Sequence, residues 1–375
     1  AAGKKVAFFG VTTTAPKAYS APRNIKGFRF QDAYTCALKT VDVLKRLEKP
    51  DFIVALYHGS FEKDPQSGQA TGISPDDNQA WRMLKEIDGI DLLIAGHEHR
   101  TYNGVDRETA YVEMAANGEE LVCVDLYTDT HTADAQIYTV DTEPDEAVLA
   151  DVKAEITEAD TWLDTVLGVS DMDLTVADEK AARLFGHPLI QLYTRAAMEA
   201  GHCELAAASL FRYTKGLPHT ITMRDILACY PFANTLVVKE ITGRQLKEYL
   251  EQSAAFWSLT SGAHIVVSPW LDTRQSLYEN YDLVDGVDYT VNVANPIGSR
   301  IVRLEYKNRP VAADDTFMIA LNSYRACGGG GYAMLKEAKK LRSVPLDMTD
   351  IIADYVRAHT PVHFTFHPNV TVVSH

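Results

Sequence analysis

The stretch Asp91-Leu92-Leu93-Ile94-Ala95-Gly96-His97-Glu98-His99 decides how the first part of this sequence is interpreted. Its apolar run is typical of a short buried strand, and the glycine that follows gives the backbone freedom to turn. Two histidines then stand one residue apart at the carboxyl end of the strand. In α/β sheets, ligands bind outside that end. The stretch therefore predicts a sheet strand that ends in a candidate ligand site.

The residues around this stretch alternate strands with helices. Strands are predicted over Lys5–Val11, Asp51–Tyr57, Tyr111–Met114 and Glu120–Tyr127, and helices over Asp32–Leu47 and Asn78–Ile87. Because the strands are continuously apolar, we expect a sheet that is covered on both faces. The first 140 residues therefore predict an α/β domain.

The second half has a different pattern. The acidic stretch Pro144–Leu167 has helical spacing and no internal glycine or proline, so it predicts a connecting helix. Strands are then predicted over Asn234–Ile241, Tyr289–Val293, Ile301–Tyr306 and Thr316–Leu321, and helices over Leu189–Ala200, Arg244–Phe256 and Met348–His359. We therefore predict an α/β domain over residues 1–142, a connecting helix over 143–167 and an α+β domain over 168–375.

Composition excludes several classes of protein. The 375 residues carry a net charge of −15, which repels polyanions and argues against binding of polymeric nucleic acid. No membrane span is predicted, because the longest charge-free run, Gln252–Leu271, is interrupted by polar residues, glycine and proline. The five cysteines are scattered and lack zinc-ribbon spacing.

Three histidines follow the ends of neighbouring strands: His58, His97 and His99. We expect all three at one sheet edge, where imidazole nitrogens are suitable ligands for zinc, manganese or iron. For any one of them taken alone, an ordinary loop histidine is the favoured interpretation. Three of them at two strand ends favour a metal site.

Several motifs resemble one known family. Gly96–His99 and Val54–Glu62 look like the last two histidine motifs of calcineurin-like metallophosphoesterases. The segments similar to the 5′-nucleotidase and 2′,3′-cyclic-nucleotide phosphodiesterase family are Gly10–Thr13, Asn24–Phe28, Pro231–Leu236, Ile241–Leu250, Asp285–Tyr289 and Asn322–Gly331. Together they extend over nearly the whole chain.

This resemblance implies a fold and a domain arrangement. We expect the C-terminal part of a metallophosphoesterase αββα sandwich, a connecting helix, and a mixed α+β 5′-nucleotidase C-terminal domain that binds nucleosides. The earlier Asp-x-His, Gly-Asp-x-x-Asp and Gly-Asn-His-Glu motifs of the family are not found in this sequence. We therefore assign no catalytic residue. We expect this chain to be the C-terminal part of a longer enzyme and, by itself, to be a poor phosphatase.

The resemblance also implies site residues. His58, His97 and His99 would be ligands of two divalent ions, such as zinc or manganese. Phe232 and Tyr324 would hold the nucleobase between their rings. Two further residues, Asn234 and Arg212, would contact the base edge and the substrate. The alternatives remain open that the two rings belong to the core and that the arginine is solvated.

The glycine run Gly328–Gly331 is expected to form a loop beside the base pocket, although a plain flexible loop is the alternative. Some 5′-nucleotidases carry aspartate where this chain has Gly330, which favours the cyclic-nucleotide phosphodiesterase branch.

The implied function is metal-dependent hydrolysis of nucleotides in nucleotide catabolism, of the 2′,3′-cyclic-nucleotide 2′-phosphodiesterase and 3′- or 5′-nucleotidase type. The partners would be small nucleotides and nucleosides, and the implied location is the periplasm, cell wall or extracellular space. Two alternatives are a catalytically incomplete nucleoside-binding fragment and an acidic structural or adhesion module.

Overall fold

A computed structural model describes residues 3–20, 24–71, 73–268 and 275–375. The chain divides into two compact units. Unit 1 comprises Ala1–Lys17 and Gly27–Leu149, and unit 2 comprises Ala18–Lys26 and Ala150–His375. A short helix, α1, covers Pro16–Tyr19.

The strands of the unit 1 sheet are β1 (Val6–Thr12), β2 (Phe52–His58), β3 (Leu92–Ala95), β4 (Tyr102–Asp106) and β5 (Thr109–Glu113). They form a five-stranded sheet in the order β1-β2-β3-β5-β4. All pairs are parallel except β4 with β5. The register sets Thr12 opposite His58 and Leu56 opposite Ile94, so the carboxyl ends of the first three strands meet at one edge.

Helices cover one face of this sheet, and a hairpin covers part of the other. The helices are α2 (Ala33–Val43), which continues as a π-helical turn over Leu44–Glu48, and α3 (Ala80–Glu86). The hairpin is β6 (Glu120–Tyr127) with β7 (Thr132–Thr139).

The two faces of the sheet are not equally buried. On the helical face, Ala37, Met83 and Leu93 are buried together in one core cluster. On the other face, Phe8 and Leu56 are 66% and 43% exposed. The sequence predicted a sheet covered on both faces. In the described residues this prediction holds only in part. The hairpin covers the part of the second face where Val54, Leu92 and Ala110 lie, and it leaves Phe8 and Leu56 exposed.

The segment predicted as one connecting helix contains two helices, α4 (Glu146–Asp151) and α5 (Lys153–Leu163). They are separated at Val152, whose backbone is not helical (φ −104°, ψ 10°). A strand, β8, already begins at Val166. The predicted domain boundaries at 142 and 168 stay a prediction.

Unit 2 contains most of the remaining strands. After β8 (Val166–Val169) they are β9 (Leu174–Thr175), β10 (Leu205–Ser209), β11 (Gly216–Leu217), β12 (Thr220–Thr222), β13 (Thr235–Thr242), β14 (Trp257–Leu259), β15 (Ile265–Val267), β16 (Asp282–Asp285), β17 (Asp288–Asn292), β18 (Ile301–Tyr306), β19 (Arg309–Pro310), β20 (Thr316–Asn322), β21 (Lys339–Asp347) and β22 (Val370–Val373). A five-stranded mixed sheet has the order β16-β10-β20-β13-β21, and a four-stranded sheet has the order β19-β18-β17-β22.

Helices pack around these sheets: α6 (Glu179–Phe185), α7 (Pro188–Gly201), α8 (Met223–Cys229), α9 (Gly243–Ala254), α10 (Ser323–Ala326), α11 (Ala333–Glu337) and α12 (Met348–Ala358). The starts of α8 and α9 are fixed by capping boxes, in which Thr222 pairs with Asp225 and Thr242 with Gln245. The large core of this unit buries Trp257 completely.

The predicted fold class, α/β followed by α+β, is confirmed. Within the described ranges, no helix combines the length and the apolar character needed to cross a membrane.

Candidate functional site

The carboxyl ends of β1, β2 and β3 carry two of the predicted metal ligands side by side. His58 ends β2, and His97 follows β3 after one glycine. Their ring centroids are 4.9 Å apart. A depression of about 460 Å³, lined in part by His58, lies over the same strand ends. His99 is exposed, and it lies close enough to lower the pKa of His58 electrostatically.

The structure adds two carboxylates that the sequence did not assign to this cluster. The ligand atoms of Asp77, His97 and Glu98 all lie within 4.8 Å of one another. Nε2 of His97 is 3.4 Å from Oδ2 of Asp77. Asp77 comes from the loop before α3. Because it lies far along the chain from the histidines, the sequence did not indicate that it joins them. Glu98 stands between the two histidines of the strand-end motif.

Hydrogen bonds connect the loops that form this cluster. The buried Asn78 accepts from the backbone amide of Ser60 at 2.8 Å and donates to Oε1 of Glu98 at 3.0 Å. The amide of Gly96 donates to the carbonyl of Gly59 at 3.1 Å. The loops after β2 and β3 are therefore fixed to each other and to the loop before α3.

The two adjacent imidazoles have opposite pKa shifts. Burial, and secondarily the neighbouring His97, lowers the pKa of His58. The hydrogen bond to Asp77 raises the pKa of His97 despite partial burial. His58 is therefore neutral at pH 7 and has a lone pair available for a metal ion.

In unit 2, three of the predicted substrate residues lie at one edge of the five-stranded sheet. β10 runs parallel to β20, and β13 runs antiparallel to β20. Arg212 follows the carboxyl end of β10, Tyr324 follows that of β20, and Phe232 precedes the start of β13. The topology therefore brings these three residues to the same edge.

Phe232 is a partly exposed ring that packs against buried aromatic residues. Its side chain is 47% exposed, although phenylalanine is usually buried. Its centroid is 5.2 Å from that of the buried Phe211, which makes an edge contact with Tyr230 at 4.8 Å. Tyr230 in turn contacts Tyr193 at 5.7 Å. This row of rings holds the exposed phenyl group in place, and the alternative that Phe232 is a core residue does not hold.

Tyr324 is also a partly exposed ring, at 41%. It lies in the short helix α10, where the side chain of Asn322 accepts from the amide of Arg325 at 2.7 Å. The glycine loop supports one side of the ring, because a Cβ at Gly329 would be 2.6 Å from two ring carbons. The glycine at this position therefore allows the loop to pack against Tyr324.

Replacing Gly329 by alanine is expected to displace this ring and weaken nucleoside binding about tenfold, the effect of about 1.4 kcal/mol. Gly329 does not have a positive φ, so alanine adds no backbone strain there. Calorimetric titration with adenosine measures the effect. Gly262→Ala, at a turn where the nearest contact is a flexible side-chain atom at 3.3 Å, is the control. Equal affinities for the two variants would contradict the ring-support role.

Arg212 has an unsatisfied group. Its guanidinium carbon lies 4.5 Å from the centroid of Tyr278 and 4.9 Å from that of Tyr213. Its Nη1 atom is buried and has no hydrogen-bond partner among the described residues. A buried donor without an acceptor costs about 1–3 kcal/mol, more when charged. An oxygen of a bound anion would remove this cost.

Asn234, the fourth predicted substrate residue, is placed differently from Phe232, Tyr324 and Arg212. It is only 8% exposed, and its side chain lies near the buried Tyr230. Its amide donates to the carbonyl of Phe232 at 2.9 Å, and its carbonyl accepts from Met348 at 2.7 Å. In this structure Asn234 fixes the loop that carries Phe232.

A buried arginine that the sequence did not assign to the site holds the glycine loop. Arg325 is 2% exposed, and its five N–H groups are all bonded. Nε and Nη2 bond the carboxylate of Asp282 at 2.5 and 3.1 Å. The other contacts are the side chain of Asn280 and the carbonyls of Gly329 and Glu279. Arg325 therefore connects the loop under Tyr324 to the start of β16.

Comparison with known proteins identifies a family domain in the second half of the chain. Residues 166–337 match the family model of the 5′-nucleotidase C-terminal domain. Unit 2 contains a 5′-nucleotidase C-terminal domain. The resemblance predicted from the motifs is confirmed, and Phe232, Tyr324 and Arg212 all lie within the matched residues.

The chain is also similar to curated relatives and to a solved structure, and two of these similarities extend over nearly the whole chain. The chain is 27% identical to the trifunctional nucleotide phosphoesterase protein YfkN of Bacillus subtilis, over 90% of this chain and 22% of the relative. It is 31% identical to a Haemophilus influenzae 2′,3′-cyclic-nucleotide 2′-phosphodiesterase/3′-nucleotidase, over 42% of this chain and 26% of the relative. A candidate 5′-nucleotidase of Staphylococcus aureus aligns with TM-score 0.84 and 26% identity, over 99% of this chain and 73% of that one. The chain thus spans about a quarter of the length of these two curated relatives.

Proposed function

We propose that this chain acts in the metal-dependent hydrolysis of nucleotide phosphate esters. Its substrates in this proposal are 2′,3′-cyclic nucleotides and nucleoside monophosphates. The observation that carries the proposal is the sheet edge of unit 2. There, two exposed rings, Phe232 and Tyr324, share an edge with the half-buried Arg212, whose buried Nη1 atom has no hydrogen-bond partner among the described residues.

The aromatic rings suit a nucleobase. Every base has a π-face, so stacking on a ring tolerates different bases and is worth about 1–3 kcal/mol per base. Both rings are held by the fold before a ligand arrives, Phe232 by Phe211 and Tyr324 by the glycine loop. Little side-chain entropy is therefore lost on binding.

Arg212 suits an anionic or carbonyl oxygen of the same ligand. Its planar guanidinium presents a fork of N–H donors that matches phosphate geometry. The neighbouring rings of Tyr278 and Tyr213 restrict its orientation. We propose that Nη1 takes its missing acceptor from the substrate.

The histidine cluster of unit 1 fits divalent cations. His58, His97 and His99 supply the nitrogen ligands in this proposal, and carboxylate oxygens lie beside them. Such ions bind phosphate oxygens, lower the pKa of a bound water and neutralise developing charge. The contacts of Asn78 and Gly96 hold the loops that carry these side chains.

The test of this proposal is nucleoside affinity. Phe232→Ala and Tyr324→Ala should each weaken adenosine binding roughly tenfold, because each removes one stacking face. Neither change should alter the affinity for inorganic phosphate, which has no π-face. Calorimetric titration with both ligands measures this difference.

Phe185→Ala is the matched control, since Phe185 is 59% exposed in the same unit and lies at the end of α6. Unchanged adenosine affinity in both ring variants would overturn the proposal. A loss as large in Phe185→Ala would show that the effect is not specific to the two rings.

A second candidate function is nucleoside binding without hydrolysis. It is favoured because the two rings and Arg212 all belong to unit 2, whereas the histidines belong to unit 1. Release of phosphate from a 2′,3′-cyclic nucleotide or a nucleoside monophosphate, assayed with added manganese, separates the two candidates. The exported location that the resemblance implies is part of the same proposal, and cell fractionation tests it.

A further inference from the structure

The carboxylate of Asp77 is the strongest unassigned feature beside the histidine cluster. Its side chain is only 22% exposed, and that of His97 is 19% exposed. Both side chains are therefore partly withdrawn from bulk water. Oδ2 of Asp77 is 3.4 Å from Nε2 of His97, and Glu98 contributes a second carboxylate within 4.8 Å of both.

The separation of Asp77 and His97 can be compared with that between two ligands of one ion. Bonds of about 2.0–2.1 Å in a tetrahedral zinc site place ligand atoms about 3.3–3.4 Å apart. The Asp77–His97 pair already has this spacing. A side-chain movement of up to about 1.4 Å brings the Glu98 oxygen, now within 4.8 Å, to the same distance. A mixed set of one imidazole and two carboxylates also suits manganese.

Both carboxylates are oriented by groups behind them, as metal ligands commonly are. The hydroxyl of Thr13, which is buried to 1% exposure, donates to Oδ1 of Asp77 and leaves Oδ2 facing His97. The hydroxyl of Tyr57 donates to the backbone carbonyl of Asp77 at 3.2 Å. On the other side, Asn78 donates to Oε1 of Glu98.

We propose that Asp77 is a metal ligand that completes a cation site with His97 and Glu98, and that Thr13 orients it. This inference rests on the metal-dependent function proposed above, since it names a ligand of the same centre. The site would take a divalent transition ion such as Zn²⁺ or Mn²⁺. The competing interpretation is a simple ion pair between Asp77 and protonated His97.

Zinc titration of the metal-free chain by calorimetry tests the proposal, with cobalt absorption as a second measurement. Asp77→Asn keeps the shape of the side chain, and we expect it to weaken zinc binding at least about tenfold. The visible bands of bound cobalt should weaken as well. Asp76→Asn alters the adjacent exposed carboxylate and is the matched control, with unchanged affinity expected.

Thr13→Val tests the orienting role and serves as the second variant if Asp77→Asn does not fold. It should weaken zinc binding about tenfold, because the loss of an outer-shell partner typically costs 10–100-fold in affinity. His97→Ala reports whether the histidine cluster binds the ion at all.

The outcomes separate this inference from the function it rests on. If Asp77→Asn binds zinc as tightly as the unaltered chain while His97→Ala does not, Asp77 is not a ligand and the histidine centre stands. If neither change affects zinc affinity, or if zinc does not bind, both the inference and the proposed metal centre are wrong. Parallel losses in Asp77→Asn and Thr13→Val, with none in Asp76→Asn, support it.

Discussion

Replacing Arg325 by methionine is expected to lower the free energy of unfolding by about 3–5 kcal/mol. The guanidinium is buried, and its carboxylate partner Asp282 is only 3% exposed. Removing one member of such a pair leaves the other charge buried without its partner. The hydroxyl of Tyr249, which donates to the same carboxylate at 2.5 Å, compensates only in part.

The same change should also weaken nucleoside binding. Arg325 bonds the carbonyl of Gly329, and Gly329 packs against the ring of Tyr324. The variant is therefore expected to show both a lower midpoint in urea and a lower affinity for adenosine at temperatures where it is folded. Urea unfolding followed by circular dichroism, together with calorimetry, measures the two effects.

Arg303→Met is the matched control. Arg303 pairs with Glu305 at 2.7 Å, but its side chain is 51% exposed, so the expected loss is only about 0–1 kcal/mol. The double variant Arg325→Met with Asp282→Leu should regain much of the lost stability, because no unpaired charge remains. A loss below about 1 kcal/mol in Arg325→Met would show that the buried pair does not anchor this loop.

Replacing Glu113 by glutamine is expected to stabilise the protein at pH 8 and to have little effect near pH 4.5. Glu113 ends β5 and is fully buried, and burial raises its pKa from 4.5 to about 8. The hydroxyl of Ser60 donates to Oε2 at 2.7 Å. Oε1 has no partner within the described ranges. The neighbouring charges are Arg100, which lowers this pKa, and Glu98, which raises it.

The direction of the pH dependence follows from the raised pKa. In the folded protein Glu113 remains protonated up to about pH 8, whereas in the unfolded chain it ionises near its ordinary value of 4.5. Its protonated form therefore favours folding at low pH, and this contribution is lost as the pH rises from about 4.5 to 8. The loss is on the order of 4 kcal/mol at pH 8, and glutamine, which cannot ionise, avoids it.

Urea unfolding at several pH values measures this effect as a difference in slope between the unaltered chain and Glu113→Gln. Glu108→Gln, at an exposed position between β4 and β5, should leave the slope unchanged. Parallel curves for the unaltered chain and Glu113→Gln would contradict the prediction.

Most central elements of the fold could be predicted from local pattern. The predicted strand over Ile301–Tyr306 agrees with β18, and the helix predicted over Met348–His359 agrees with α12 to one residue. The strand β21, Lys339–Asp347, was not predicted. It is an edge strand with charged residues and an internal proline, which are features of strands that pair on one side only.

Parts of the candidate sites were also visible in the sequence. His58 and His97 were predicted to meet because both end neighbouring parallel strands, and their rings are adjacent. Phe232 and Tyr324 were singled out by their motifs, and the sheet topology brings both to one edge. Their roles as metal and base contacts stay predictions.

The sequence by itself determined the order of strands and helices, the positions of histidines at strand ends, and the family motifs, because these depend on residues close together in the chain. Only the tertiary structure decided which distant side chains share a site. Asp77 reaches His97 across 20 residues, and Arg325 reaches Asp282 across 43. Such contacts depend on how loops pack and which charges become buried. Local residue patterns do not specify either property.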